Sequence, residues 1–125
     1  MKKPSLLGAL LVSCLYMASA SAQEAPVKQS DGTLVSASGM TLYTFDKDTA
    51  GSGKSVCNGG CATLWPPAMA AASAKDSGDF TVVTRDDGSK QWALKGKPLY
   101  AYAQDKKAGD RTGDNFKDVW HAAKN

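Results

Sequence analysis

Two stretches of this chain set a phenol and a carboxylate at the same separation. Tyr43, Phe45 and Asp48 form one set; Tyr100, Tyr102 and Asp105 form the other, 57 residues further on. A phenol beside a carboxylate can line a ligand site or help to hold a cation. The same groups also serve structure. A Tyr and the aromatic two residues after it share one face of a strand, and their rings pack a core. Each Asp then falls just past its strand, where a carboxylate accepts backbone N–H groups and fixes the exit turn. A buried phenol also needs an acceptor, which a nearby Asp or carbonyl supplies. The motif is therefore expected to be mainly structural, with binding as its other use.

Cys57 and Cys61 lie in Cys-Asn-Gly-Gly-Cys. In an exported chain such a pair reads as a disulfide, and closing so short a loop adds roughly 2 kcal/mol on the chain-entropy model. A reducible dithiol is the competing reading. A zinc site would need about four ligands, and His121 is the only histidine. Haem attachment requires a shorter Cys spacing followed by His, whereas Ala62 follows here. Asp105, Asp110, Asp114 and Asp118 lack the alternation and terminal Glu of an EF-hand loop, and Lys106, Lys107, Arg111 and Lys117 lie among them. No nucleophile arrangement points at His121, and no phosphate-binding glycine loop or nucleophile elbow is present. The expectation is no enzyme, no metal and no cofactor.

Residues 1–22 read as a secretory signal. Lys2 and Lys3 precede a short apolar stretch, and Ala20-Ser21-Ala22 offers a cleavage site after Ala22. Leu11-Val12-Ser13-Cys14 also resembles a lipobox, which makes acylation at Cys14 the alternative. Without Lys2 and Lys3 the chain keeps 13 basic against 12 acidic residues, a net charge of +1. No basic cluster interleaved with aromatics exists, so nucleic acid is not an expected partner. Periplasmic or secreted localisation without a membrane span follows, with the protein expected to be a monomer. About a hundred residues suffice for one domain with one modest core.

The elements that must position these groups are short. Residues 23–32 read as a flexible lead-in. Thr33–Ala37 and Thr41–Phe45 read as strands of a hairpin about Ser38-Gly39. Phe80–Thr84, Gln91–Leu94 and Leu99–Tyr102 read as a three-stranded meander. Cys61–Trp65 is a candidate helix stopped by Pro66 and Pro67. A second helical turn is expected over Asn115–Trp120, capped by Asp114. Residues 68–79 form an Ala/Ser-rich connector, either a helix or a mobile linker. The fold class is mainly β (small α+β): two pseudo-equivalent repeats, 33–67 and 80–122, in one compact domain spanning 33–122. Tyr43, Phe45, Trp65, Trp92, Tyr100, Tyr102, Phe116 and Trp120 are its expected packing aromatics.

Gly-x-x-Leu-Tyr-x-Phe-x-x-Asp, the Cys57/Cys61 pair and Ala-x-x-Trp-Pro-Pro together resemble the bacterial secreted-repeat family of predicted lipoproteins with a Yx(F/W/Y)xxD motif. Leu99 to Asp105, running on to Trp120-His121, is similar to the partner repeat. The resemblance covers residues 33 to 122 and implies an exported β-rich repeat domain with no assigned activity. The functional expectation is a non-catalytic binding or structural module of the bacterial envelope, its partner an envelope component, protein or small molecule. The alternative is a periplasmic metal- or redox-linked protein using Cys57/Cys61 or the repeated Asp residues.

Overall fold

Short runs of β-forming residues, punctuated by glycine and proline, give this chain strands of two to five residues. A computed structural model describes residues 24–125. The expected leader, its cleavage point and Cys14 lie outside the described residues. Strand β1 (Val27–Lys28) pairs antiparallel with β2 (Leu34–Val35). The stretch expected as a flexible lead-in is thus held to the domain by a strand. The chain turns at Ser36–Met40, where Gly39 takes φ 94°, and bridges Val35 to Thr41 before β3 (Tyr43–Phe45). Helix α1 (Gly60–Leu64) follows and stops ahead of Pro66 and Pro67, since proline cannot continue a helix ladder.

The second half contains the largest sheet. Strands β5 (Phe80–Thr84) and β6 (Lys90–Leu94) form a hairpin, and β7 (Lys97–Pro98) pairs with the far end of β6. The Ala/Ser connector is neither a helix nor a loose linker in its first part. Met69–Ala70 form β4, paired to Gln91 and Lys90 of β6. Burial of Ala70 in the aliphatic core overrides the helix propensity of alanine.

The second expected helix is absent. Asn115, Lys117 and Asp118 take φ of 64°, 52° and 59°, values a right-handed helix does not contain. The Asp114 carboxylate accepts the Ala122 N–H at 2.9 Å instead of capping a helix. Trp120–Ala122 then form β8, antiparallel to β3, with Phe45 opposite Trp120 and Tyr43 opposite Ala122.

Corresponding segments of the two halves are exchanged. Ala68 N–H donates to Leu99 O at 2.9 Å, and Ala123 N–H donates to Leu42 O at 2.8 Å. Ala103 N–H donates to Leu64 O at 2.9 Å, and Asp46 N–H donates to Val119 O at 2.7 Å. Each Leu-Tyr-x-aromatic segment therefore pairs with the Trp-bearing segment of the other repeat. The second of these segments is not the expected strand Leu99–Tyr102: the strand is Lys97–Pro98, and beyond it only Tyr100 makes isolated bridges, because its partners come from two different segments. Successive side chains at Leu42–Tyr43 and Leu99–Tyr100 enter different cores, as a period of two requires. Leu42 and Leu99 join Leu34, Trp92, Leu94 and Ala123 in an aliphatic cluster. Tyr43, Tyr100 and Tyr102 join Trp65, Trp120 and Cys57 in an aromatic one.

Gly113 lies against the aromatic cluster. A Cβ there would stand 2.7 Å from Trp65 Cη2 and 2.9 Å from Tyr102 Cδ2. Gly113→Ala should destabilise the domain by about 1–3 kcal/mol, the usual cost of overpacking a filled core. The midpoint of a thermal melt followed by circular dichroism should fall by roughly 4–8 °C for each kcal/mol lost; an unchanged midpoint would contradict this packing.

Candidate functional site

At the centre of the molecule the two motif tyrosines exchange backbone hydrogen bonds. Tyr43 N–H donates to Tyr100 O at 2.7 Å, and Tyr100 N–H donates to Tyr43 O at 2.9 Å. Their side chains then cross between repeats. The Tyr43 hydroxyl donates to Asp105 Oδ2 at 2.7 Å, and the Tyr100 hydroxyl donates to Asp48 Oδ2 at 2.5 Å. Each carboxylate uses its other oxygen to close its own repeat's loop. Asp48 Oδ1 accepts the Val56 N–H at 2.8 Å; Asp105 Oδ1 accepts the Thr112 N–H at 3.0 Å and the Thr112 hydroxyl. Phenol and carboxylate are thus partnered, but each with the opposite copy of the motif.

Aromatic packing follows the same exchange. Trp65 and Trp120 stack at 3.8 Å between centroids with planes 2° apart. Tyr102 stacks on Trp65 and Phe45 on Trp120, both at 4.1 Å. Tyr43 meets Trp65 edge-on at 5.4 Å, and Tyr100 meets Trp120 edge-on at 5.1 Å. Such pairs each contribute about 0.5–1.5 kcal/mol beyond the area they bury. The Phe116 ring meets Trp65 at 5.8 Å and Tyr102 at 5.9 Å. Trp92, also expected among the packing aromatics, is buried in the aliphatic cluster and meets Phe80 edge-on.

The two crossings differ in charge. Arg85 is 6 % exposed and sits beside the Tyr100–Asp48 pair. Its Nη1 donates to Gln91 Oε1 at 2.8 Å and Ser55 Oγ at 3.1 Å; its Nη2 donates to Cys57 O at 2.7 Å and Asn58 Oδ1 at 2.9 Å. Ser55 Oγ lies 2.6 Å from the Tyr100 hydroxyl, whose proton goes to Asp48. On the other side the Gly113 N–H meets the Tyr43 hydroxyl at 3.2 Å. Sequence reading passed over Arg85. The signal available was rarity: the chain has 13 lysines and only two arginines, and a planar fork of donors suits a buried site better than an ammonium.

Burial, then the neighbouring carboxylate, pushes the pKa of both phenols well above the ordinary tyrosine value: Asp105 for Tyr43 and Asp48 for Tyr100. Burial also raises the Asp48 carboxyl, against the Tyr100 hydrogen bond, the Val56 N–H and the Arg85 charge. Cys57 and Cys61 are bonded, with Cα atoms 5.2 Å apart, at the entry to α1. His121, exposed to 37 %, pairs through Nε2 with Asp46 at 2.8 Å and through Nδ1 with Asn115 at 3.1 Å, rather than with Asp48 or Asp105. The acidic loop is divided among turns: Asp110 accepts the Lys106 and Lys107 N–H groups, and Asp114 accepts Ala122. Among the described residues no group of three or more His, Cys, Asp or Glu is arranged to hold a metal ion. Among them also no helix is long and apolar enough to cross a membrane.

The crossing makes a specific energetic prediction. In double-mutant cycles, Tyr43→Phe with Asp105→Asn should couple by about 1–3 kcal/mol, as groups sharing a buried hydrogen bond do. Tyr43→Phe with Asp48→Asn, which lie in one repeat but share no bond, should be nearly additive in denaturant unfolding. The phenols also set the alkaline limit. A tyrosine whose folded pKa is raised contributes stability that is present below the ordinary value of about 10 and lost as pH rises through the folded one. Phenolate absorbance of Tyr43 and Tyr100 should appear only above that ordinary value, together with loss of the circular dichroism signal. Two phenols titrating early in a folded protein would contradict the burial.

A family model described as a secreted repeat of unknown function matches residues 25–69 and again 81–124. No curated protein and no solved structure matches the chain. The two matched segments are the two halves that exchange their tyrosines, acids and tryptophans, and the chain belongs to this family of secreted repeats.

Proposed function

We propose that this chain is an exported, non-catalytic module of the bacterial envelope, which binds through its surface while the crossed motif serves as its frame. The observation that carries this reading is the fate of the motif groups. Tyr43, Tyr100, Asp48 and Asp105 are engaged with one another and with backbone N–H groups. A general acid or base must reach a substrate proton and titrate near the working pH. Buried phenols whose pKa lies above the ordinary tyrosine value are poorly suited to that task. Their arrangement suits a rigid support for loops that meet a partner.

Formaldehyde cross-linking of intact cells, comparing the natural chain with Asp48→Asn and Asp105→Asn, tests this reading. Both substitutions are expected to lower the melting midpoint and to leave the cross-linked envelope species unchanged per folded molecule. Loss of those species in a variant that melts like the natural protein would place function in the motif itself and overturn the proposal.

A further inference from the structure

A cavity of about 270 Å³ opens between the β6–β7 turn and the C-terminal strand. Lys95, Lys97 and Lys124 line it together with Thr44, while Leu94 and Ala123 supply apolar wall. No carboxylate lines it. None of the three lysines is in an ion pair among the described residues. Of the side-chain acids near its lining segments, Asp46 pairs with His121 at 2.8 Å and Asp79 accepts from the Asn125 side-chain amide at 3.3 Å. Three unpaired lysines bordering one apolar wall concentrate positive charge there, and the wall strengthens attraction to an anion by lowering the local dielectric.

The backbone supplies a second observation. Lys95 and Gly96 take φ of 50° and 86° in the two-residue turn joining Leu94 to Lys97. Positive φ at both central positions favours Asn, Asp or Gly at the first, so a lysine there carries conformational strain that those residues would avoid. The turn is also clamped. Lys95 N–H donates to Asp79 O at 2.7 Å, Gly51 N–H donates to Gly96 O at 3.1 Å, and a Cβ on Gly96 would lie 2.6 Å from Gly51 N. The clamped turn fixes the backbone from which Lys95 and Lys97 extend at the mouth of the cavity, while their exposed ammonium groups remain free to close on an anion.

We propose that this cavity binds a phosphate group, either inorganic phosphate or a phosphate monoester carried on a larger envelope molecule. Ammonium groups bind as point charges rather than as a planar fork. They therefore suit a compact anion of charge near −2 with three acceptor oxygens better than a flat carboxylate. The proposal rests on the binding reading above and supplies its ligand chemistry.

Titration of the isotope-labelled mature protein with inorganic phosphate, followed by amide chemical shifts, is the test. Saturable shifts are expected at Thr44, Lys95, Gly96, Lys97 and Lys124. Lys97→Gln and Lys124→Gln should each weaken binding roughly thirtyfold at low salt, the loss of one unit charge near contact with a charge near −2 in water. Lys95→Asn should weaken it similarly while leaving the melting midpoint unchanged or higher, an outcome that a purely structural Lys95 would not give. Phosphatidylcholine vesicles containing phosphatidic acid separate the sources. Tighter binding to them than to free phosphate assigns a membrane-borne monoester, and equal binding assigns the soluble ion. The site is overturned by an absence of saturable shifts, by shifts confined to other surfaces, or by lysine variants that bind as the natural chain does. Equal binding to phosphatidylglycerol vesicles, which carry only a diester, would reduce it to general surface charge and overturn it as well. A null titration with the envelope cross-links intact removes this site and leaves the module.

Discussion

The structure depends on one exchange: two tyrosines that hydrogen-bond through their backbones and then send their hydroxyls to each other's aspartates. A buried phenol left without an acceptor, or a buried carboxylate without donors, costs on the order of 1–3 kcal/mol or more. Neither repeat can meet that requirement for its own Tyr, because its own Asp is directed to the opposite phenol. The polar groups of the motif therefore specify association of the halves, and the surrounding rings supply the energy. Phe45, Trp120, Trp65 and Tyr102 form a continuous stack whose two middle members come from different repeats. Pulling the halves apart would break every junction of the stack, since its members alternate between repeats, and would expose both braces together.

Duplication did not leave the two halves chemically equal. The Tyr43–Asp105 brace is completed by Thr112 and the Gly113 N–H, groups without formal charge. The Tyr100–Asp48 brace has the Arg85 guanidinium beside it, and Arg85 in turn holds the Cys57 carbonyl and the Asn58 side chain. A buried guanidinium is tolerable only where its donors are satisfied, and here Ser55, Gln91, Cys57 and Asn58 satisfy them. The disulfide-closed loop is thereby tied to the end of β5, through a side chain that reaches from the second repeat to the surroundings of the Tyr100–Asp48 brace.

Much of this was legible in the residues. The period of two placed Tyr43 and Phe45 on one face and Leu42 on the other, and the two faces do line different cores. The helix stop at Pro66 and the β5–β6 hairpin followed from local chemistry in the same way. Periodicity, however, states which face a side chain occupies and not which strand lies alongside, so the exchange of partners was hidden. The failures share a cause. Ala70 became strand because β6 offered an edge, and Asp114 gave its carboxylate to Ala122 because β3 drew residues 120–122 into a ladder. In each case a distant segment overrode a local preference.

The same exchange explains how a small domain with strands of two and three residues can hold a strained turn. An isolated two-stranded hairpin is marginal in water, and β1–β2 or β3–β8 alone would be no better. Here β3 is fixed on one side by β8 and on the other by the Tyr100 backbone, while Leu99 is fixed by Ala68 and Trp92. The β6–β7 turn projects from that fixed edge and is pinned from outside by Gly51. Strain at Lys95 is then confined to a segment whose neighbours cannot relax to relieve it, and such over-determination is the condition under which unfavourable backbone persists. A looser frame would let the turn rotate out of its left-handed backbone values. The aromatic centre and the cationic rim are in this sense one mechanical unit: the rings and braces fix the edge, and the edge fixes the backbone from which Lys95 and Lys97 extend.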